Sequence, residues 1–340
     1  MYHNILVPLD GSRRAEQALP VAARLARASG GTIVLLRVVN IANQFMSYVA
    51  LEPLMTQQAI DTQLEEAKDY LEHLLRSESP AGVHTSILVF FGQPATNILS
   101  VAESYNIDLI VMSSHGYTGL TRWIMGSVAE KVSHASLVPV LVLREGNPPL
   151  AGLYPDGSGS LRALVPLDGS AHAEAAIAPA AHLIAALAAP GHGALHLTQV
   201  VVMPGIEQLS YNEREAILQK ARQNLSATVQ EISEGLIANY GADLHLSITW
   251  SVTIDDDIAG GIVRMAENGE DAEGAGTFGG CDIIAMATHG YSGLQHWTLG
   301  SITERVLHTT RLPLLIVRPI NIASKAHQPF NRSTMVKVSD

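Results

Sequence analysis

The sequence predicts an α/β protein made of two tandem domains, each a doubly wound sheet of five parallel strands. Three observations carry this. A chain of 340 residues suits about two domains of ordinary size. Short apolar runs alternate with stretches of helical period, the pattern of a parallel sheet covered on both faces. The whole pattern also occurs twice. Ile5-Leu6-Val7-Pro8-Leu9-Asp10-Gly11-Ser12 returns as Ala163-Leu164-Val165-Pro166-Leu167-Asp168-Gly169-Ser170, and Ser114-His115-Gly116-Tyr117-Thr118-Gly119-Leu120 as Thr288-His289-Gly290-Tyr291-Ser292-Gly293-Leu294. Copies this far apart mean a duplicated domain and not a solenoid. The spacing places domain one at 1–145, a linker at 146–160, domain two at 161–319 and a tail at 320–340.

Each element follows from its pattern. Ile5–Leu9 is a fully apolar strand, broken by Gly11, with Ser12 able to cap the next helix. That helix carries Ala15, Ala18, Leu19, Ala22, Leu25 and Ala26 at helical spacing, matched by Ala173, Ala176, Ile177, Ala180, Leu183 and Ile184. Second strands are expected at Thr32–Val39 and Ala194–Val202. Second helices carry Ile60, Leu64, Ala67, Leu71, Leu74 and Leu75, matched loosely by Leu218, Ala221, Leu225, Ile232 and Leu236. Third strands lie at Thr85–Phe90 and Leu244–Trp250, and third helices carry Ala95, Ile98, Leu99 and Ala102 against Ala259, Ile262, Val263 and Ala266. Fourth strands are Asp108–Met112 and Asp282–Met286. Fourth helices begin at Gly126 and Gly300, and fifth strands are Val138–Leu143 and Leu312–Val317. The second copy is longer, and one insertion falls between Ala266 and Cys281, a Gly-rich acidic stretch that reads as a surface loop.

Composition narrows the function classes. Charged residues are 16% of the chain and the formal net charge is −11, which argues against a nucleic-acid partner and against docking on an anionic membrane. The acidic balance leaves room for a nucleotide held by backbone N–H groups. One cysteine, Cys281, leaves no intrachain disulfide and suits a reducing, cytoplasmic setting. The longest uncharged apolar run, Ala175–Leu187, is short for a spanning helix and contains Pro179 and His182, so it reads as a buried helix.

Doubly wound sheets bind ligands beyond the carboxyl ends of their strands, where strand order reverses. Ser113-Ser114-His115-Gly116 follows the fourth strand, and Gly126-Ser127-Val128 comes after nine further residues. The second copy has Ala287-Thr288-His289-Gly290, the same gap, then Gly300-Ser301-Ile302. Gly116 and Gly290 allow close backbone approach, and Gly126-Ser127 and Gly300-Ser301 open helices whose N–H groups favour an anion. The same glycines also serve as turn residues and helix starts. Asp10 and Asp168 are carboxylates directly after a strand, able to accept from an amine or a hydroxyl, or to cap their own turns. His115 and His289 have no nucleophile tied to them in sequence and read as packing or capping residues. Asp255-Asp256-Asp257 reads as a helix-start cluster. Arg122, opposite His296, is placed to reach a triphosphate in the first copy.

This constellation resembles the universal stress protein family, twice, from Tyr2 to about Arg144 and from Arg162 to about Arg318. Nucleotide-binding members carry Gly, two residues, Gly, nine residues, then Gly-Ser or Gly-Thr. Here the first Gly is replaced by Ser113 and Ala287, both small, and the rest is present. The resemblance implies a Rossmann-like fold of the HUP (adenine nucleotide alpha hydrolase-like) type. It implies adenine at Pro8, Asp10 and Val38 and at Pro166, Asp168 and Val200, with the ribose against Met112 and Met286. It further implies ATP, or ADP or AMP, with Mg²⁺ as ligand. The two domains are expected to pair through their fifth strands, and the chain to form a homodimer. Its action is expected to be regulatory, on an unidentified protein partner, and not catalytic. A slow ATPase or adenylyl-handling enzyme and a nucleotide-free interaction module are the competing readings.

Overall fold

The computed structural model describes residues 2–40, 53–77, 80–114, 125–144, 150, 160–203, 210–240, 244–269, 271–272, 276–277, 279–288 and 299–319. The linker, apart from Leu150 and Ser160, and the tail 320–340 lie outside the described residues. The chain divides into two compact units, Tyr2–Val140 and Leu141–Pro319.

In the first unit the order is β1 (Asn4–Leu9), α1 (Arg13–Glu16), α2 (Ala18–Ser29), β2 (Thr32–Val39), α3 (Pro53–Leu75), β3 (His84–Phe91), α4 (Pro94–Ser104), β4 (Leu109–Ser113) and α5 (Ser127–Ala135). The strands run in the order β3-β2-β1-β4, and each pairing is parallel. The chain steps from β1 to β2 to β3 on one side, then returns to β4 on the other side of β1. The strand order therefore reverses between β1 and β4. β5 (Val140–Leu143), the last strand of the first repeat, spans the division between the units.

The second unit repeats the scheme with β6 (Leu161–Pro166), α6 (Ala171–Glu174), α7 (Ile177–Ala188), β7 (Gly193–Val201), α8 (Tyr211–Tyr240), β8 (Leu246–Ile254), α9 (Ile258–Asn268), β11 (Ile283–Ala287), α10 (Ser301–Thr309) and β12 (Leu314–Val317). Its strands follow the order β12-β11-β6-β7-β8, again parallel throughout. The reversal falls between β6 and β11. The inserted stretch after α9, expected as a surface loop, holds a short antiparallel strand pair, β9 (Asp271–Ala272) and β10 (Gly276–Thr277).

The expected core is the core. Ile5, Leu6, Val7, Leu109, Ile110, Leu164, Val165, Ile283 and Ile284 have no exposed surface. Burying each aliphatic chain of this size contributes about 1.5–3 kcal/mol. One element departs from expectation. The first helix of each repeat is split in two, at Gln17 and at Ala175-Ala176. Pro20 and Pro179 explain the break: each lacks an N–H, and each ring clashes with the carbonyl four residues earlier, at Glu16 and Ala175. The same break interrupts Ala171–Ala188, a segment apolar enough to span a membrane by length and composition, with mean hydropathy 1.3. Its α7 portion turns Ala180, Leu183, Ile184 and Leu187 into the core, as a buried helix does.

Candidate functional site

The turn after β1 is built by its own side chains. Asp10 Oδ1 accepts from the Ser12 N–H at 3.0 Å and from the Ser12 hydroxyl at 2.6 Å. Ser12 Oγ in turn accepts from the Ala15 N–H at 3.2 Å, capping α1. The second repeat is superposable in its distances: Asp168 Oδ1 to Ser170 N 3.0 Å and Oγ 2.6 Å, and Ser170 Oγ to Ala173 N 3.2 Å. Gly11 and Gly169 stand at φ +85° and +81°, a backbone region that costs an L side chain about 1–2 kcal/mol. The aspartates thus do shape their turns. A carboxylate has about four acceptor positions, so this role does not exhaust either group.

Pro8 pairs with Leu36 near the end of β1, and Asp10 comes two residues later, beside the end of β2 that carries Val38. Proline cannot donate to the ladder, so the sheet loosens there. Met112 and Ser113 end β4, on the other side of β1. Pro8, Asp10, Val38, Met112 and Ser113 therefore lie together at the carboxyl ends of three adjacent strands. Pro166, Asp168, Val200, Met286 and Ala287 occupy the same places on β6, β7 and β11. Met112 and Met286 are each 5% exposed, so they form a floor and not a protruding wall.

The start of α5 is drawn to this end by one hydrogen bond. The Gly126 N–H donates to the Ser114 carbonyl at 2.8 Å, and the Gly300 N–H to that of Thr288 at 2.7 Å. Gly126 and Gly300 are the helix N-caps, in extended backbone. Their N–H groups are thereby committed, a detail the sequence pattern could not supply. The intrahelical ladder begins with Glu130 N–H to Gly126 O at 3.0 Å and Glu304 N–H to Gly300 O at 2.9 Å. The N–H groups of Ser127 and Val128, and of Ser301 and Ile302, precede it and have no acceptor within their helix. They carry the positive end of the helix dipole. Ser127 and Ser301 are exposed. In the second repeat the buried Thr303 hydroxyl also donates to the Ala287 carbonyl at 2.9 Å, fixing α10 against β11.

His115, Gly116, His289 and Gly290 lie outside the described residues, as do Arg122 and His296. Asp257 is the N-cap of α9, as the acidic run suggested. The Gly260 N–H and Arg305, whose Nη2 lies 3.0 Å from Asp257 Oδ1, hold its carboxyl below the usual range. Asp255 pairs with Arg264 and accepts from the Asp257 N–H at 2.9 Å. These acids are spoken for by arginines and backbone.

Pattern reading missed a side-chain group beside the first turn. Arg37, on β2, sets its guanidinium against Gly11 and 5.7 Å from the Tyr70 ring centroid. Tyr70 donates to Glu16 Oε1 at 3.0 Å. The signal was available: Arg37 is the one charged residue in Thr32–Val39, and the repeat has Gln199 at that place.

Two parallel, doubly wound repeats, each bringing an aspartate turn and a helix start without a side-chain cap to its switch point, define a tandem α/β protein of Rossmann-like architecture. The profile of the Universal stress protein family matches residues 1–144 and again 160–318. The chain belongs to the universal stress protein family, as a two-repeat member. It is similar to universal stress protein YxiE of Bacillus subtilis, 32% identical over 148 residues, covering 42% of this chain and all of the relative. It is 29% identical over 158 residues to a universal stress protein of Methanocaldococcus jannaschii, covering 43% of this chain and 98% of that one. Among solved structures, a universal stress protein from Archaeoglobus fulgidus covers 93% of this chain and 96% of its own, at a TM-score of 0.58 and 21% identity, a likeness of fold.

Proposed function

We propose that each repeat binds an adenine nucleotide at its switch point, and that the protein acts as a nucleotide-dependent regulatory module in the stress response. One observation carries this: the same constellation is built twice, to the same distances, from repeats that differ elsewhere. In the first repeat the base would lie at Pro8, Asp10 and the Val38 backbone, the ribose over Met112 and Ser113, and the phosphates at the Ser127 and Val128 N–H groups. Pro166, Asp168, Val200, Met286, Ala287, Ser301 and Ile302 would do the same in the second. Gly126 and Gly300 serve by lacking a side chain, which lets a phosphate approach the helix start. Mg²⁺ would enter with the phosphates.

Nucleotide content tests the reading. Protein purified without added nucleotide is heat-denatured and the supernatant resolved by chromatography. Melting is then followed with ATP and Mg²⁺. Retained adenine nucleotide, or a rise in melting temperature that disappears in Gly126→Val plus Gly300→Val, is expected. No nucleotide and no shift at millimolar ATP would end the proposal.

A further inference from the structure

We infer that His192 and His245 form a binding site for one divalent transition-metal cation of the zinc class. The site lies at the amino ends of β7 and β8, opposite the carboxyl ends where a nucleotide would sit. It stands on its own observations and does not depend on nucleotide binding.

Strand pairing brings the two residues together. β7 and β8 run parallel with Gly193 opposite Leu246. The residues just before them, His192 and His245, therefore stand side by side, with backbones about 4.8 Å apart. Both main chains are tied down. The Gly193 N–H donates to the His245 carbonyl at 3.1 Å, and the Ser160 hydroxyl to the His192 carbonyl at 3.2 Å. The two ring centres lie 5.3 Å apart, with their planes at 85°. Both residues are exposed.

That separation suits a shared ion. Imidazole nitrogen is a favoured donor to zinc, copper and nickel. A zinc ion lies about 2.0–2.1 Å from each nitrogen and roughly 3.2 Å from each ring centre, so at the tetrahedral angle two ring centres stand about 5.2 Å apart. In the edge-to-face arrangement one ring must turn about its Cβ–Cγ bond to aim its nitrogen. That torsion is broad for histidine, and exposure leaves room for it. No group of three or more His, Cys, Asp and Glu side chains able to hold a metal occurs among the described residues, so water would fill the other positions.

The backbone supplies a second observation. His245 stands at φ +45°, in the left-handed region that a side chain adopts at a cost. The alignment that matches Val34 with His196 and Leu88 with Ser251 places Gly30 at His192 and Gly82 at His245. These glycines stand at φ +64° and +76°. The first repeat thus builds the same corner from glycines, without a side chain and without strain. A histidine in a glycine's conformation is not required by the fold, and backbone outliers of this kind gather at functional sites.

Zinc chloride is titrated calorimetrically into the full chain, after chelator treatment and dialysis and without nucleotide. One ion per chain is expected. His192→Gln and His245→Gly should each weaken binding about tenfold or more, a loss that even an outer partner of a metal ligand can cause. His245→Gly installs the first repeat's residue, so it relieves the backbone while removing the ligand, and it keeps the test readable if the glutamine variant folds poorly. Zinc should also slow hydrogen exchange at the start of β8 in the parent and not in His245→Gly. Absence of binding, or a bound ion that survives either substitution, would overturn the assignment. Unchanged exchange at β8 would place the ion elsewhere and overturn it as well.

Discussion

Replacing His196 by Val and Ser251 by Leu transplants the first repeat's Val34 and Leu88 into the second, and it should remove an acid-sensitive element from the core. His196 has no exposed surface. Its ring nitrogens bond to Thr249 Oγ1 and Ser251 Oγ, both at 2.8 Å. Ser251 Oγ continues to Thr198 Oγ1 at 3.3 Å and lies 3.8 Å from the Met265 sulfur. Burial, with a smaller contribution from the positive charge of Arg162, holds the imidazole down at about 4. An unfolded chain takes up this proton near 6.5, as an ordinary histidine does. Between those values the unfolded state binds the extra proton, so stability falls as pH falls, by up to about 1.4 kcal/mol per pH unit. The contribution is whole above pH 6.5 and gone below pH 4. At pH 4.5 the loss from this one group is about 2–3 kcal/mol. Urea unfolding followed by Trp250 fluorescence, in a Trp123→Phe, Trp297→Phe background, reads the second unit. Stability from pH 7 to 4.5 should fall more steeply in the parent than in the double variant, by about that amount. Parallel curves would refute the reasoning.

Other outcomes follow from the same contacts. Gly11→Ala and Gly169→Ala should each lower stability by about 1–2 kcal/mol, from the positive φ alone, seen as a lower urea midpoint with an unchanged slope. Leu183→Ala, at a fully buried place on α7, should cost about 2–5 kcal/mol, whereas an exposed site such as Leu137 should tolerate alanine within about 0.5 kcal/mol. Cys281 is buried and its thiol is pushed up to about 12, so a disulfide reagent at pH 8 should label it only after denaturation. Rapid labelling of the native protein would contradict the packing around it.

How much of this could be read beforehand depends on what each residue's role requires. The apolar strands, the helix faces and the Asp-Gly-Ser turns were legible because local pattern determines them, and because every pattern occurs twice. The split of the first helix was legible in principle from Pro20 and Pro179, but the apolar period runs through both prolines and hides the break. The commitment of the Gly126 and Gly300 N–H groups was not legible, since the acceptors, Ser114 and Thr288, are set by how the chain returns to the strand end. Nor was the His196 network, whose partners lie about 55 residues away and become neighbours only when β7 pairs with β8.

Comparing the repeats with each other shows which residues the shared fold does not require. The strand cores exchange one aliphatic residue for another, as at Ile5 and Ala163 or Val140 and Leu314, and the aspartate turns keep their distances to a tenth of an ångström. Several changes of chemical type fall in and beside β2 and β7: Val34 to His196, Leu36 to Thr198 and Arg37 to Gln199, with Leu88 to Ser251 on the neighbouring strand. A buried aliphatic pair exchanged for a hydrogen-bonded histidine gains nothing in hydrophobic burial. The change is not needed to keep the fold, because the first repeat folds without it. The two repeats therefore present one scaffold with two environments, an aliphatic strand core at Val34 in the first and a titratable one at His196 in the second. Acid should accordingly weaken the second unit before the first. Hydrogen exchange at pH 7 and pH 4.5 resolves this by strand: protection in β7 and β8 should drop by more than in β2 and β3. Equal losses in both pairs would mean that the buried histidine is not what distinguishes them.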